Sequence, residues 1–152
     1  MNYWLMKSEP SAFSVDDLEQ RPDRTEHWDG VRNYQARNML RDQMRVDDLA
    51  FFYHSSCERP GITGITKIVR AGYPDHTALD PESKYHDPKS TPDNPRWYMV
   101  DVKFERKFAR TITLDELKEH PQLADMALLR RGNRLSVMPV TAEQWAYILT
   151  LE

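Results

Sequence analysis

Apolar and polar positions alternate along "WYMVDVKFERKF" (97–108), with Tyr98, Val100, Val102, Phe104 and Phe108 set between Met99, Asp101, Lys103, Glu105 and Lys107. Period two marks a strand with one buried face, so the pattern predicts a long strand with these apolar side chains on one side. A strand of that length tends to coil, which suits a small closed barrel. "YWLMKS" (3–8) reads as a first strand, stopped by Glu9-Pro10. "LAFFYHS" (49–55) is a continuous apolar run, as in a strand buried on both faces. "GITGITKIVR" (61–70) reads as a strand with Gly61 and Gly64 as bulge points.

Helical signals are short and well capped. Ser14 caps "SVDDLEQ" (14–20), whose first turn carries Asp16 and Asp17, where the helix dipole favours acids. Thr113 with Glu116, and Thr141 with Gln144, open "TLDELKEH" (113–120) and "TAEQWAYILTLE" (141–152) as capping boxes. After the Asp29-Gly30 turn, capped by Asp29 or Asn33, a further helix places Ala36, Met39, Leu40 and Met44 on one face. Arg37, Arg41 and Arg45 form a second stripe there, with Tyr34 among them. A proline-rich loop spans 73–97, too long for a simple connection and of the kind that often carries function. The element order predicts a single α/β domain over residues 1–152, a mixed barrel surrounded by short α-helices.

Composition narrows the function classes. At 152 residues the chain suits one domain. Its single cysteine, Cys57, excludes an internal disulfide and fits a reducing, intracellular setting, cytoplasmic or, in a eukaryote, nuclear. "MNYWLMKSEP" has neither the basic start nor the apolar core of a signal peptide or membrane span. A net charge of −3 argues against a protein that coats nucleic acid indiscriminately, while leaving room for a local basic patch.

Candidate chemistry gathers in "WDGVRNYQARNML" (28–40), where rings and positive charge adjoin a helix start. Trp28 beside free backbone amides would serve a base and an anion together; a core tryptophan and a solvated arginine face would look the same in sequence. Arg130, Arg131 and Arg134 surround Gly132-Asn133, as a phosphate clamp or a solvated turn. His54 either lines a pocket or is a satisfied structural histidine. Cys57, three residues on, reads as a small hydrophobe rather than a nucleophile. Five histidines without ligand spacing and one cysteine predict no metal, and no cofactor fingerprint is present.

The ordered segments "YWLMKSEP", "WDGVRNYQARNML", "FFYHS", "PGITGITKIV", "YPD", "YHDP", "DNPRWYMVDV" and "RLSVMPV" resemble the EVE domain family across almost the whole chain. That family is PUA-like and related to the YTH readers of methylated adenine. The resemblance implies a PUA-like barrel that binds modified nucleobases, especially modified cytosine, in DNA or RNA. By analogy with YTH readers, Lys7-Ser8 ends the first strand at the pocket and Trp28 forms a cage wall, with Tyr85 or Trp97 as a second ring. Glu9 and Asp29 stand where those readers carry an amide and a small hydroxyl. Carboxylates accept from exocyclic amines, which fits cytosine.

The expected base pocket is therefore Lys7, Ser8, Glu9, Trp28, Asp29, Asn33, Tyr34, His54, Tyr85 and Trp97, with Arg32, Arg37, Arg131 and Arg134 on phosphates. Nucleic acid carrying a modified base is the expected partner, with no membrane and no catalytic residue. The rival is a small hydrolase using Lys7, Glu9 and His54, although no nucleophile with an orienting partner is evident. A protein-interaction module built on the aromatic loop is a third reading.

Overall fold

The computed structural model describes residues 1–152. Six strands form one sheet: β1 (Tyr3–Ser8), β2 (Thr25–Trp28), β3 (Leu49–His54), β4 (Gly61–Pro74), β5 (Tyr98–Thr113) and β6 (Val137–Val140). Their order is β2-β5-β4-β3-β1-β6, and only the β1–β3 pair is parallel. Four short helices dress it: α1 (Val15–Glu19), α2 (Tyr34–Asn38), α3 (Leu114–Lys118) and α4 (Ala142–Leu149). No ladder joins the edge strands β2 and β6, so the sheet is not closed as expected. It is nevertheless curled. β2 and β3 are three ladder steps apart, each about 4.8 Å, yet the Trp28 and Phe52 ring centroids lie 5.4 Å apart.

Strand alternation feeds two cores. Trp4 and Met6 of β1, with Ala50 and Phe52 of β3, point into one; Leu5, Phe51 and Tyr53 point into the other. This double burial is why "LAFFYHS" is apolar without a break. The first core is covered by α1 and by α2 with the π-helical turn Met39–Gln43 that continues it. Ala36, Met39, Leu40 and Met44 all bury there, as their spacing predicted. The second core is covered by α3 and α4.

Two expectations need correction. Phe104 and Phe108 were expected on one face, but Phe104 lies in the first core and Phe108 in the second. Thr66 pairs with Phe104 and Ile65 with Arg106, leaving Glu105 as an extra residue. One bulged residue shifts the alternation by one and sends every later side chain to the other face. Gly64 faces the bulged segment, where an added Cβ would come within 2.5 Å of the Arg106 carbonyl oxygen. The second correction is β2, which was not expected as a strand. It pairs antiparallel with β5, and Trp28 opposes Val100.

The caps are largely as read. Ser14 and Thr141 head complete capping boxes. Thr113 accepts from the Glu116 amide, but the Glu116 carboxylate pairs with Arg110 instead of closing the box.

Candidate functional site

A cleft of about 760 Å³ opens where β1 and β2 end. The β1 exit is a hydrogen-bonding hub. Lys7 N donates to Ser136 O at 2.8 Å, Ser55 N donates to Ser8 O at 3.0 Å, and Ser8 Oγ donates to Phe13 O at 2.6 Å. Glu9 follows at the rim, exposed. The Lys7 ammonium lies 5.8 Å from the Tyr53 ring centre, and burial pushes its pKa down.

The end of β2 supplies the strand-built side. Trp28 is 7% exposed and meets Phe13 and Phe52 edge-on. It is a core residue whose remaining surface reaches the cleft. Asp29 follows. Burial pushes its carboxyl pKa up, His27 opposes this, and the nearby Asp75 charge adds to the rise. His27 Nδ1 stands 2.9 Å from Glu26, and its Nε2 stands 3.6 Å from Asp29.

Tyr85 supplies the loop-built side. Its ring packs against Gly30, whose φ of +80° only glycine adopts readily, and an added Cβ would lie 2.5 Å from the ring. Gly30 N donates to Asp75 Oδ2 at 2.9 Å, and Arg32 Nη1 donates to the same oxygen at 3.0 Å. Arg32 also donates through Nε and Nη2 to Tyr85 O, at 3.2 and 2.8 Å. Burial by itself would raise the Asp75 pKa, but hydrogen bonds from Thr77, Gly30 and Arg32 outweigh it and hold the carboxyl below its usual value. Around the cleft, Lys7, Arg21, Lys84 and Arg134 face Glu9, Glu26 and Asp29. The rim is close to charge balance.

Of the expected pocket, Lys7, Ser8, Glu9, Trp28, Asp29 and Tyr85 come together here, and Arg134 joins them. The other expected residues do not line this cleft. Asn33 caps α2, its Oδ1 accepting from Ala36 N at 3.0 Å. Tyr34 stacks on Trp97 at 4.8 Å, and Trp97 Nε1 donates to Asp87 at 2.7 Å, so these rings brace the loop. His54 Nε2 accepts from Val15 N at 3.1 Å, a bond that requires the unprotonated nitrogen; burial pushes its pKa down. It is the satisfied structural histidine: although it pairs with Ser8 across the ladder, its Nε2 is taken by the Val15 amide and it does not line the cleft with Glu9. Arg32 and Arg37 are engaged internally, Arg37 donating to Arg96 O at 2.8 Å. The helix start expected as an anion site is only the five-residue α2, already capped by Asn33, and Trp28 belongs to β2. Arg131 lies in a neighbouring groove.

Phe13, His27, Lys84 and Ser136 line the cleft without having been singled out. His27 and Lys84 adjoin residues already marked and Ser136 ends the segment that holds Arg134, but Phe13 carried no local signal. No group of three or more His, Cys, Asp or Glu side chains is arranged to hold a metal ion. No helix is long and apolar enough to cross a membrane.

Known proteins resemble this chain over nearly its whole length. Rat thymocyte nuclear protein 1 is 50% identical over 168 residues, spanning 99% of this chain and 74% of that protein. A crystal structure from Pseudomonas syringae superposes with a TM-score of 0.94 at 56% identity, covering 98% of each chain. Human THYN1 protein, crystallised in complex with 5-methylcytosine containing DNA, superposes with a TM-score of 0.93 at 46% identity, covering 99% of this chain and 97% of that one. The EVE domain model matches residues 2–151, so the chain belongs to the EVE domain family.

Proposed function

We propose that this protein is a reader of modified nucleobases, taking a modified cytosine of DNA or RNA into the cleft and binding it without chemistry. The observation that carries this reading is the cleft itself, which Tyr85 and Trp28 line together with the carboxylates Glu9 and Asp29. Its volume falls within the usual range for small-ligand pockets, about 300–1,000 Å³. The human relative crystallised with 5-methylcytosine containing DNA supports the choice of base.

The base enters unpaired, because its edge must reach the pocket. Ring contact contributes about 1–3 kcal/mol. Glu9 or Asp29 accepts from the exocyclic amine of cytosine. Lys84 and Arg134 meet flanking phosphates. A near-neutral rim draws little on counterion release, so affinity for unmodified nucleic acid stays low at physiological salt.

Paired titrations of one oligonucleotide, with and without the modified cytosine, test the reading. A buried methyl contributes roughly 1 kcal/mol, and ring contact adds to it, so the expected preference is about 5- to 50-fold. Glu9→Gln is expected to reduce it. Equal affinities in the wild type overturn the reader function. Loss of the modified base during incubation points instead to an enzyme.

A further inference from the structure

A second groove, about 630 Å³, adjoins the base cleft. The segment 134–136 divides the two. Arg134 lines both, Leu135 only the groove and Ser136 only the cleft. The divider is pinned to the fold. Lys7 N holds Ser136 O, while Asn133 accepts from Leu135 N at 2.9 Å and donates to Ala127 O at 2.5 Å. The two depressions therefore keep a fixed relation to each other.

Their chemistry differs. The groove has an apolar floor of Met39, Leu135 and Pro139, with the exposed Gln35 amide at its side. Three arginines, 130, 131 and 134, meet a single carboxylate, Asp125, along its lining. All three are exposed, and none forms an ion pair within the protein. Arg21, Arg32, Arg41, Arg106 and Arg110 are each paired with a carboxylate; Arg24, Arg45 and Arg59 also lack an ion pair, but Arg130, Arg131 and Arg134 share one groove. Unpaired guanidinium groups beside an apolar floor and an amide match a nucleotide: a flat ring, a polar edge and an anionic link.

We infer that this groove holds the nucleotide next to the modified base, so that the protein reads two adjacent nucleotides rather than one. The inference rests on the reader function proposed above and adds flanking context to it. Met39 and Leu135 lie under the neighbouring base, Gln35 meets its edge, and Arg134 and Arg131 meet the phosphodiester joining the two nucleotides.

The test uses single-stranded DNA carrying one modified cytosine, with an abasic site placed before or after it in turn. For wild-type protein, the abasic site on one side is expected to weaken binding about tenfold, the scale of a lost base contact; on the other side the change is small. In the Gln35→Ala/Arg131→Ala variant, whose positions are both exposed, the penalty is expected to fall to about twofold or less, with thermal unfolding unchanged. If neither abasic site matters, or the variant keeps the full penalty, the groove has another occupant and the inference is overturned. Equal affinity for modified and unmodified strands with the abasic penalty intact overturns only the reader function. A strand that is not bound in either form overturns both.

Discussion

Trp28 and Tyr85 both line the cleft, but one sits at the end of an edge strand with its ring buried in the core and the other on a loop without regular structure. Trp28 is held by the β2–β5 ladder and by two rings packed nearly perpendicular to its own. Tyr85 is held by contact with one glycine and by Arg32, which Asp75 in turn fixes. The strand side resists deformation because many weak contacts would have to break together. The loop side depends on a few charge-assisted hydrogen bonds, each stronger but individually removable. A reader needs a fixed reference surface and one that can adapt to a ligand, and this division supplies both.

Truncation separates the two sides most sharply at Trp28. Removing a buried tryptophan side chain from a core commonly costs about 3–5 kcal/mol. Trp28→Ala is therefore expected to lower stability by that amount in denaturant unfolding, before any effect on ligand. A loss under 1 kcal/mol would place the residue in the cleft rather than the core.

Asp75→Ala strikes the loop side at its anchor. Asp75 is 2% exposed and serves Gly30, Arg32 and Thr77 together. Its removal strands the Arg32 charge, and a cost of about 3 kcal/mol is expected, the lower part of the range for a broken buried pair because Arg32 keeps some exposure. The pH dependence has a definite sign. The folded pKa is depressed, so the contribution is present above the ordinary carboxylate value of about 3.9 and is lost as pH falls through the lower folded value. Asp75→Asn should abolish that part of the acid dependence, as thermal unfolding at descending pH would report.

Gly30→Ala acts on the ring contact itself. Its positive φ adds about 1–2 kcal/mol of strain, and the new Cβ displaces the Tyr85 ring. Binding of a modified oligonucleotide is expected to weaken about tenfold, from loss of one ring contact. In a Tyr85→Ala background the same substitution should leave affinity almost unchanged. A full tenfold effect in that background would mean that Gly30 acts on the ligand without Tyr85.

The smallest expected effect lies outside both sides. Arg134→Ala should weaken modified and unmodified strands alike and flatten the dependence of log affinity on log salt by about one unit. An unchanged slope would remove Arg134 from the phosphate path.

Much of the cleft was legible because several of its parts are local. The strand stopped by a proline shows where β1 ends and the turn signal marks Asp29-Gly30, while resemblance to YTH readers is what put Lys7, Ser8, Glu9 and Asp29 at the pocket. Trp97 shows where that reading stops. It and Tyr85 sit in one aromatic loop, and nothing between 73 and 97 distinguishes the ring that lines the cleft from the ring that bonds Asp87. That choice depends on Gly30, which lies far away in the chain. Strand β2 was missed for a related reason, since "TEHW" is short and mostly polar and becomes a strand by pairing with β5.

The sequence by itself determined what depends on near neighbours: the apolar strands, the helix starts at Ser14, Thr113 and Thr141, and the apolar face of Ala36, Met39, Leu40 and Met44. Tertiary structure alone decided which face a side chain takes beyond a bulge and which charged group keeps a free hand. Glu105 moves Phe108 to the second core because β4 leaves it unpaired. Arg32 and Arg37 are engaged inside the fold, whereas Arg131 and Arg134 stay exposed, because acceptors such as Asp75 and the Arg96 carbonyl are brought to the first pair from distant segments. Local propensity acts over a few residues. Pairing and charge satisfaction act across whatever the fold brings within hydrogen-bond reach, and no window of sequence contains that information.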